Sequence, residues 1–395
     1  MISLARLALP WSRERSRLLV KTMEIGAIHT HVAVDVLVVG LGPAGASAAH
    51  RAASGGLSVL GIDKKKEIGF PVQCAEFVPA PMCPYAPPSS AAYVQSIDRM
   101  ETNLPSGQIE TTVFPGLMLD RMQFDKCIAK NAEKSGARIH SHSRLLNLDV
   151  DRQIAMVLLE DQVVAVHFYY LVAADGPNSL VAQFLGLSPL SCVQTRQYNV
   201  PLLKPGCTTS VWLSGEYPGG YAWLFPKGAT ANLGLGIDKA FLDDLKQPLD
   251  ALYKQLVDQG VIGGQVLSRT GGAIPVSGIR EKLLVKSIIF VGDAAGLAHP
   301  ITGAGIASAI QSGEWAGDAI VAFTNGDKDA LADYEMDVRA QYGDSFARAV
   351  ERRRWLRKFW QTPEANDDVL MRKGWIAFDE YFEGDRALNE NGAQG

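Results

Sequence analysis

"VDVLVVGLGPAGASAAHRAASGGLSVLGIDKK", residues 34–65, decides the fold of this 395-residue chain. An apolar run, Val34 to Val39, reads as a buried parallel strand. It passes directly into Gly40-x-Gly42-x-x-Gly45 and an Ala-rich helix, and a second apolar run, Leu57 to Ile62, ends at Asp63. Each part has a mechanical reason. Gly40 makes the tight turn, Gly42 lets backbone amides approach a pyrophosphate, and Gly45 lets helix and strand pack closely. Ala44 lies in the same turn, where the helix N-terminus faces the phosphates with unpaired N–H groups. Asp63 can accept hydrogen bonds from both hydroxyls of an adenosine ribose. A GxGxxG alone is a weak signal. Strand, glycines, helix, strand and acid within one ~30-residue unit form a dinucleotide fingerprint. Lys64 to Lys66 would suit a 2′-phosphate, but the preceding acid opposes that charge, so FAD or NAD is expected over NADP.

Residues 287–320, "SIIFVGDAAGLAHPITGAGIASAIQSGEWAGDAI", decide FAD over NAD. A buried strand ends in Gly292-Asp293, a loop with Pro300 follows, and Gly303-Ala-Gly305-Ile306 opens a long helix. A simple nicotinamide dehydrogenase has no need of this element. FAD does, because its ribityl chain and ring extend away from the adenine site. Asp293 suits a ribityl hydroxyl, and the amides of Gly305 and Ile306 suit the ring edge that carries negative charge when the flavin is reduced. Two smaller signals agree. In "LDRMQFDKCIAKNAEKSGARI" (119–139) Arg121 is placed to reach a phosphate or the flavin, against the reading of a surface arginine. In "YYLVAADGPNSLVAQFLG" (169–186) a strand ends in Asp175-Gly176, a structural junction or a cofactor contact.

Composition is that of an ordinary globular protein, 47% hydrophobic and 20% charged, and a net charge of -4 leaves no basic excess for nucleic acid. Five cysteines without a CxxC pair argue against a disulfide scaffold, a metal cluster or a bound metal ion, and fit a reducing compartment. No apolar run approaches the roughly 20 residues needed to cross a bilayer. Residues 1–30 read as an unstructured extension, with Met23 as an alternative start.

A third stretch, "YPGGYAWLFPKG" (217–228), sets Tyr221, Trp223 and Phe225 at every second position. On a strand, three rings then share one face and Ala222 and Leu224 the other. Two readings stand: an ordinary core face, or a wall for a long apolar or flat ligand.

In this order, GLGPAG, the LDRxxFD arginine, ADGPNS and GDAAG…PxxGxGI resemble the flavoprotein superfamily of aromatic-ring hydroxylases. Within it, "EIGFPVQCAEF" (67–77) and P-x-x-Y-x-W-x-F-P at Pro218, Tyr221, Trp223, Phe225 and Pro226 resemble the geranylgeranyl reductase family, in its archaeal and related bacterial branch. The resemblance covers roughly residues 33 to 325. It implies an α/β fold: a Rossmann-like FAD-binding domain with an inserted antiparallel-sheet substrate domain and a C-terminal helical segment. The expected FAD-binding segments are 31–89, 118–186 and 271–325, and the substrate domain 90–117 and 187–270. A helical region at 326–383 and a tail at 384–395 follow.

The resemblance implies saturation of isolated C=C bonds of polyprenyl chains by reduced FAD, on a lipid, quinone or isoprenoid precursor. An unactivated alkene gives hydride nowhere to put negative charge, so the fitting route adds a proton to the less substituted carbon and a hydride from flavin N5 to the tertiary one. A thiol, with a reference pKa near ~8.5, is neutral at pH 7 and tolerable beside hydrocarbon. Cys74 is therefore the candidate acid at the flavin, with Ala75 beside it; a buried space-filling Cys, with water as acid, is the competing reading. Tyr221, Trp223 and Phe225 become candidate substrate-binding residues, since each buried CH₂ contributes roughly 0.8 kcal/mol. Two positions depart from the family or carry little information: bulky Phe77 follows the Cys-x-x, and Leu145 sits on the strand whose backbone meets adenine.

Elsewhere "CTTSVWLSG" (207–215) and "GATANLGLGID" (228–238) read as neighbouring antiparallel strands. In "SFARAVERRRWLRKFWQ" (345–361), Trp355, Leu356, Phe359 and Trp360 form an apolar stripe among arginines. That suits a helix lying on the inner face of a membrane, for a cytoplasmic protein with a peripheral contact, or a core-packing helix. No second complete GxGxxG unit exists for NAD(P)H, so the electron donor is a ferredoxin-like protein or transiently bound NAD(P)H. The alternative activity on the same fold is a monooxygenase or halogenase. Halogenases carry W-x-W-x-I-P where this chain has Y-x-W-x-F-P.

Overall fold

The computed structural model describes residues 30–87 and 89–383. The expected N-terminal extension (through residue 29) and the tail (384–395) lie outside the described residues.

The run Val34–Val39 is buried on both faces because strands lie on either side of it and helices cover it. It belongs to β1 (His31–Val39), which pairs in parallel with β2 (Val59–Ile62) and with β9 (Gln162–Ala173). Beyond them β6 (Arg138–His140) and β17 (Ile288–Phe290) extend the parallel sheet, and β16 (Leu284–Val285) closes one edge. The order is β16-β17-β9-β1-β2-β6, with an antiparallel arm of β7 (Arg144–Asp149) and β8 (Ile154–Leu159) on β9. Helices α1 (Pro43–Ser54) and α5 (Ile306–Thr324) cross in backbone contact. A Cβ at Gly313 would lie 2.1 Å from the Ala44 carbonyl oxygen, and one at Gly292 would lie 2.8 Å from Ala44 Cβ. These small residues bring the turn at Gly40–Gly45 and the turn at Gly292–Asp293, far apart in sequence, to one place at the ends of β1 and β17.

The second sheet runs β14 (Ser268–Thr270), β10 (Cys192–Pro201), β13 (Thr230–Ile237), β12 (Ala222–Lys227), β11 (Thr208–Trp212), β4 (Tyr93–Asn103), β5 (Ile109–Leu119) and β3 (Phe77–Pro79), with β15 (Ala273–Pro275) also on β10. The strands expected as neighbours, β11 and β13, are separated by β12: Leu224 lies opposite Ser210 on one side and Leu233 on the other. The aromatic strand is thus central rather than peripheral, which its burial on both faces requires. Strands β3 and β15 come from stretches read as FAD-binding, yet β3 pairs with β5 and β15 with β10. The boundaries at 89, 117 and 271 therefore cut through this sheet.

Alternation along β12 divides two cores. Trp223 and Phe225 pack with Leu213, Leu356, Trp360 and Trp375. Ala222 and Leu224 pack with β13 and with α4 (Lys246–Asp258). The short helix α3 (Leu180–Phe184) follows β9, while α2 (Arg121–Lys134) follows β5.

The C-terminal stripe is a correction. Helix α6 (Ala330–Leu356) stops at Leu356, so the four apolar residues do not share one helix. Leu356 and Trp360 are buried in the core under the aromatic face, with Trp355 and Phe359 packed against it, so this stripe covers protein rather than membrane. One of the arginines is interior too: Arg352 donates to the carbonyls of Tyr381 and Glu383, beyond α7 (Asp368–Gly374). Among the described residues no helix is long and apolar enough to cross a membrane.

Candidate active site

At the end of β1 the chain turns at Gly40 with φ +97°, where an added Cβ would lie 2.2 Å from the Ala174 carbonyl oxygen. Gly42 then caps α1 without any side-chain hydrogen bond, with Pro43 as the first helical residue. A Cβ at Gly42 would meet nothing within 4 Å, so open space lies directly before the unpaired N–H groups of the first turn, Ala44 and Gly45 among them. This cradle fits a pyrophosphate. Asp63, at the end of β2, braces it: Oδ2 accepts from the Leu41 amide and Oδ1 from the Lys65 amide, both at 2.8 Å. Each carboxylate oxygen keeps a lone pair for a ribose hydroxyl.

The second turn repeats the device. Gly305 precedes α5 with no side-chain cap, and Ile306 opens the helix. A Cβ at Gly305 would lie 3.3 Å from Asp293 Oδ1, so that carboxyl lies next to the helix N-terminus. Burial pushes the Asp293 carboxyl up to about 6, with Arg121 opposing. The loop between them holds Gly303 at φ +69° and is folded around His299. His299 Nδ1 accepts from the amides of Ile301 and Thr302 at 3.4 and 3.3 Å, and burial holds the ring down to about 4, hence neutral.

Arg121 is no surface residue. Its guanidinium pairs with Asp125 through Nε–Oδ1 at 3.0 Å and Nη2–Oδ2 at 3.1 Å, with 14% of the side chain exposed. Burial works against its charge, but Asp125 and Cys74 raise its pKa, so it stays protonated. Its influence on Cys74 and on Asp293 brings those three groups to one place.

The loop carrying Cys74 is built with more care than its sequence announced. Cys74 Sγ accepts from the Glu76 amide at 3.2 Å. Burial pushes the thiol up, while Arg121 and that amide oppose. Glu76 is buried at φ +70°, its Oε1 receiving the Arg121 amide (2.9 Å) and its Oε2 receiving Lys227 (2.7 Å) and Asn232 (2.9 Å). The Cys74 carbonyl accepts from Gln197 Nε2 at 3.0 Å, and Gln197 Oε1 accepts from Trp223 Nε1 at 3.1 Å. Ala75 is held by Asn232 at 3.2 Å. Glu76, Gln197, Lys227 and Asn232 were missed. The available signal was Gln197 and Asn232 as polar residues on inward positions of otherwise apolar strands.

The rings of Tyr221, just before β12, and of Trp223 and Phe225 on it form a continuous wall. Centroids are 5.7 Å apart for Tyr221–Trp223, 6.5 Å for Trp223–Phe225 and 5.9 Å for Phe225–Phe77. Phe77 extends the wall to Phe114 at 5.6 Å, which is 37% exposed. At the inner end Tyr221 Oη donates to the Thr302 carbonyl at 2.6 Å, and burial together with nearby Cys74 raises its pKa. Trp375 lies edge-on to Tyr221 at 4.9 Å, so the wall is packed by the C-terminal region in this structure.

Leu145, Asp175 and Gly176 also have places in the packing of the fold. Leu145 is buried in the first core on β7. Asp175 Oδ2 accepts from the amides of Leu180 (2.7 Å) and Val181 (3.1 Å) at the start of α3, after Gly176 turns at φ +84°.

Comparisons with known proteins agree with this geometry. The family model for the geranylgeranyl reductase catalytic domain matches residues 190–274, from β10 to β15. A digeranylgeranylglycerophospholipid reductase of Methanococcus aeolicus is 32% identical over 82% of this chain and 87% of its own length. That of Methanocella arvoryzae is 34% identical over 79% and 84%. The crystal structure of a geranylgeranyl bacteriochlorophyll reductase-like protein from Thermoplasma acidophilum superposes with a TM-score of 0.80 at 27% identity, over 91% of this chain and 99% of that one. A myxobacterial FAD-dependent halogenase shares the fold at a TM-score of 0.65 and 16% identity. The cofactor is FAD, and the fold is the Rossmann-like α/β arrangement of the aromatic-ring hydroxylases. The chain belongs to the geranylgeranyl reductase family of FAD-dependent oxidoreductases.

Proposed function

We propose that this enzyme saturates isolated C=C bonds of geranylgeranyl or related polyprenyl chains, with Cys74 as proton donor. The observation that carries this reading is the nearness of the half-buried Cys74 thiol to Tyr221 at the inner end of the aromatic wall. Gly40, Gly42, Ala44, Gly45 and Asp63 hold the adenosine and pyrophosphate of FAD. Asp293, Gly303, Gly305 and Ile306 hold its ribityl chain and ring edge, and the second sheet holds the substrate. Reduced FAD, when bound, supplies the hydride.

The residues of this chain handle the proton. Burial keeps Cys74 protonated at neutral pH, so it has a proton to give. Once the proton has left, the Glu76 amide and the Arg121 guanidinium already face the sulfur and stabilise the thiolate without rearrangement. Tyr221, Trp223 and Phe225 orient the chain by apolar contact and exclude water.

The relatives' names point to a prenylated glycerophospholipid as the substrate class. Electrons come from a ferredoxin-like protein or from NAD(P)H, and mixing each with oxidised enzyme under anaerobic conditions separates the two. A peripheral membrane contact belongs at the lip of β5, where Ile109, Val113 and Phe114 are exposed and Phe114 begins the wall.

The test is anaerobic. Dithionite-reduced enzyme is mixed with a geranylgeranyl lipid while flavin absorbance and product mass are recorded. Reoxidation with a gain of about two mass units per turn is expected, and Cys74→Ser should retain FAD but lose at least roughly 100-fold in turnover. Reoxidation only when air is admitted would sink the reductase reading, and wild-type turnover in the variant would remove Cys74 from the chemistry.

A further inference from the structure

On the face of β10 turned away from Gln197 and the thiol, the second sheet carries a cavity that the chemistry above does not use. It has a volume of about 450 Å³ and lies where β14 and β15 separate along β10. Three cations line it: Arg196 on β10, Arg269 on β14, and Lys239. Arg196 Nε is buried and has no hydrogen-bond partner. Tyr198 and Asp250 lie beside this arginine, but Asp250 is taken up by Lys246 and by Tyr198 Oη at 2.8 Å. Arg269 is seated over the Tyr198 ring at 5.5 Å and lies opposite Tyr198 on the paired strand, on the same face of the sheet as Arg196. Of the two lining acids, Asp244 is engaged by the Lys246 amide at 2.7 Å, and Asp243 is exposed.

Two guanidinium groups and an ammonium line one polar cavity with the carboxylates of Asp243 and Asp244, yet none of the three cations is ion-paired with either. A partly desolvated arginine without a carboxylate partner is costly to hold, and a tetrahedral oxyanion meets its fork of donors bidentately. The cavity is also coupled to the thiol loop. Thr270 Oγ1 donates to the Val72 carbonyl at 2.8 Å, and Gln73 Nε2 donates to the Gly271 carbonyl at 2.5 Å, immediately before Cys74.

We propose that this cavity binds a phosphate group through Arg196, Arg269 and Lys239, and that the phosphate is the polar head of the prenyl substrate. The second half rests on the reductase reading; phosphate binding itself does not.

The experiment has two arms, on FAD-loaded wild type, Arg196→Gln and Arg269→Gln. Calorimetric titration with inorganic phosphate reads binding alone. Steady-state kinetics compares geranylgeranyl phosphate with uncharged geranylgeraniol. Each variant is expected to lose phosphate binding and to show KM for the phosphate-headed substrate raised roughly ten-fold, with the alcohol unchanged. Lost phosphate binding with both substrates turned over as in wild type would keep the site and assign it to free phosphate, overturning the head-group assignment. Wild type that binds no phosphate, with variants kinetically unchanged on both substrates, would overturn the proposal. If neither substrate is reduced by any form, the reductase reading fails while the titration still decides the site. Arg269 is exposed, so its variant keeps the test valid should Arg196→Gln unfold.

Discussion

Asp293 shows how one half-buried carboxyl links cofactor and stability. Its pKa is pushed up to about 6 by burial, against about 3.9 for the unfolded chain. The folded state therefore holds the extra proton between those values, and stability falls as pH rises through that window, levelling off above it. In flavin-free protein the effect is at most about 3 kcal/mol. Asp293→Asn should abolish this slope in urea melts between pH 4 and pH 7.5 while weakening FAD retention; an unchanged slope would show that another group is responsible. At this scale the glycines, Asp63, Asp293 and Cys74 were legible, because each is demanded by local backbone geometry or by chemistry. Glu76 and His299 were not. Glu76 takes its role from partners distant in sequence, Lys227 and Asn232, and His299 takes its own from the fold of the loop whose Ile301 and Thr302 amides it accepts from.

The aromatic strand was legible as an element and its neighbours were not. Period-two alternation gave the face of every ring, and the structure agrees at each position. Which strands flank it depends on crossovers, and alternation carries no information about those. Trp223 does two separable things: its ring forms the wall, and its Nε1 holds Gln197, which holds the Cys74 carbonyl. Trp223→Ala should therefore raise KM more for a C20 chain than for a C10 chain, by several-fold. Trp223→Phe should spare that length dependence and lower kcat instead. Equal effects on both chain lengths in the alanine variant would return the wall to a plain core.

For the whole molecule, the join between sheets rests on a few long polar contacts. Arg353, at the end of α6, donates to the Gly219 carbonyl at 2.7 Å and to the Pro300 carbonyl at 3.3 Å, linking the turn before β12 to the loop before α5. Arg353→Gln should cost about 2 kcal/mol, read as a lower urea midpoint, and should raise KM for prenyl substrate more than it weakens FAD. A variant as stable as wild type would show that packing alone aligns the two turns. The sequence pattern left two readings open here, a membrane face and a core-packing helix. Arginines among tryptophans look like a membrane face, but Arg352 is turned inward on carbonyls. A one-dimensional pattern cannot report which side of a helix is already covered.

The cover over the aromatic wall comes last in the chain: Leu356, Trp360, Met371, Trp375 and Tyr381 complete its core. During synthesis the wall leaves the ribosome more than a hundred residues before its partners do. For that interval a strand of large rings is unshielded, the condition under which nascent chains associate wrongly. Translation pauses or stop codons in the last stretch would thus act on solubility, in a region that carries none of the residues assigned to the flavin.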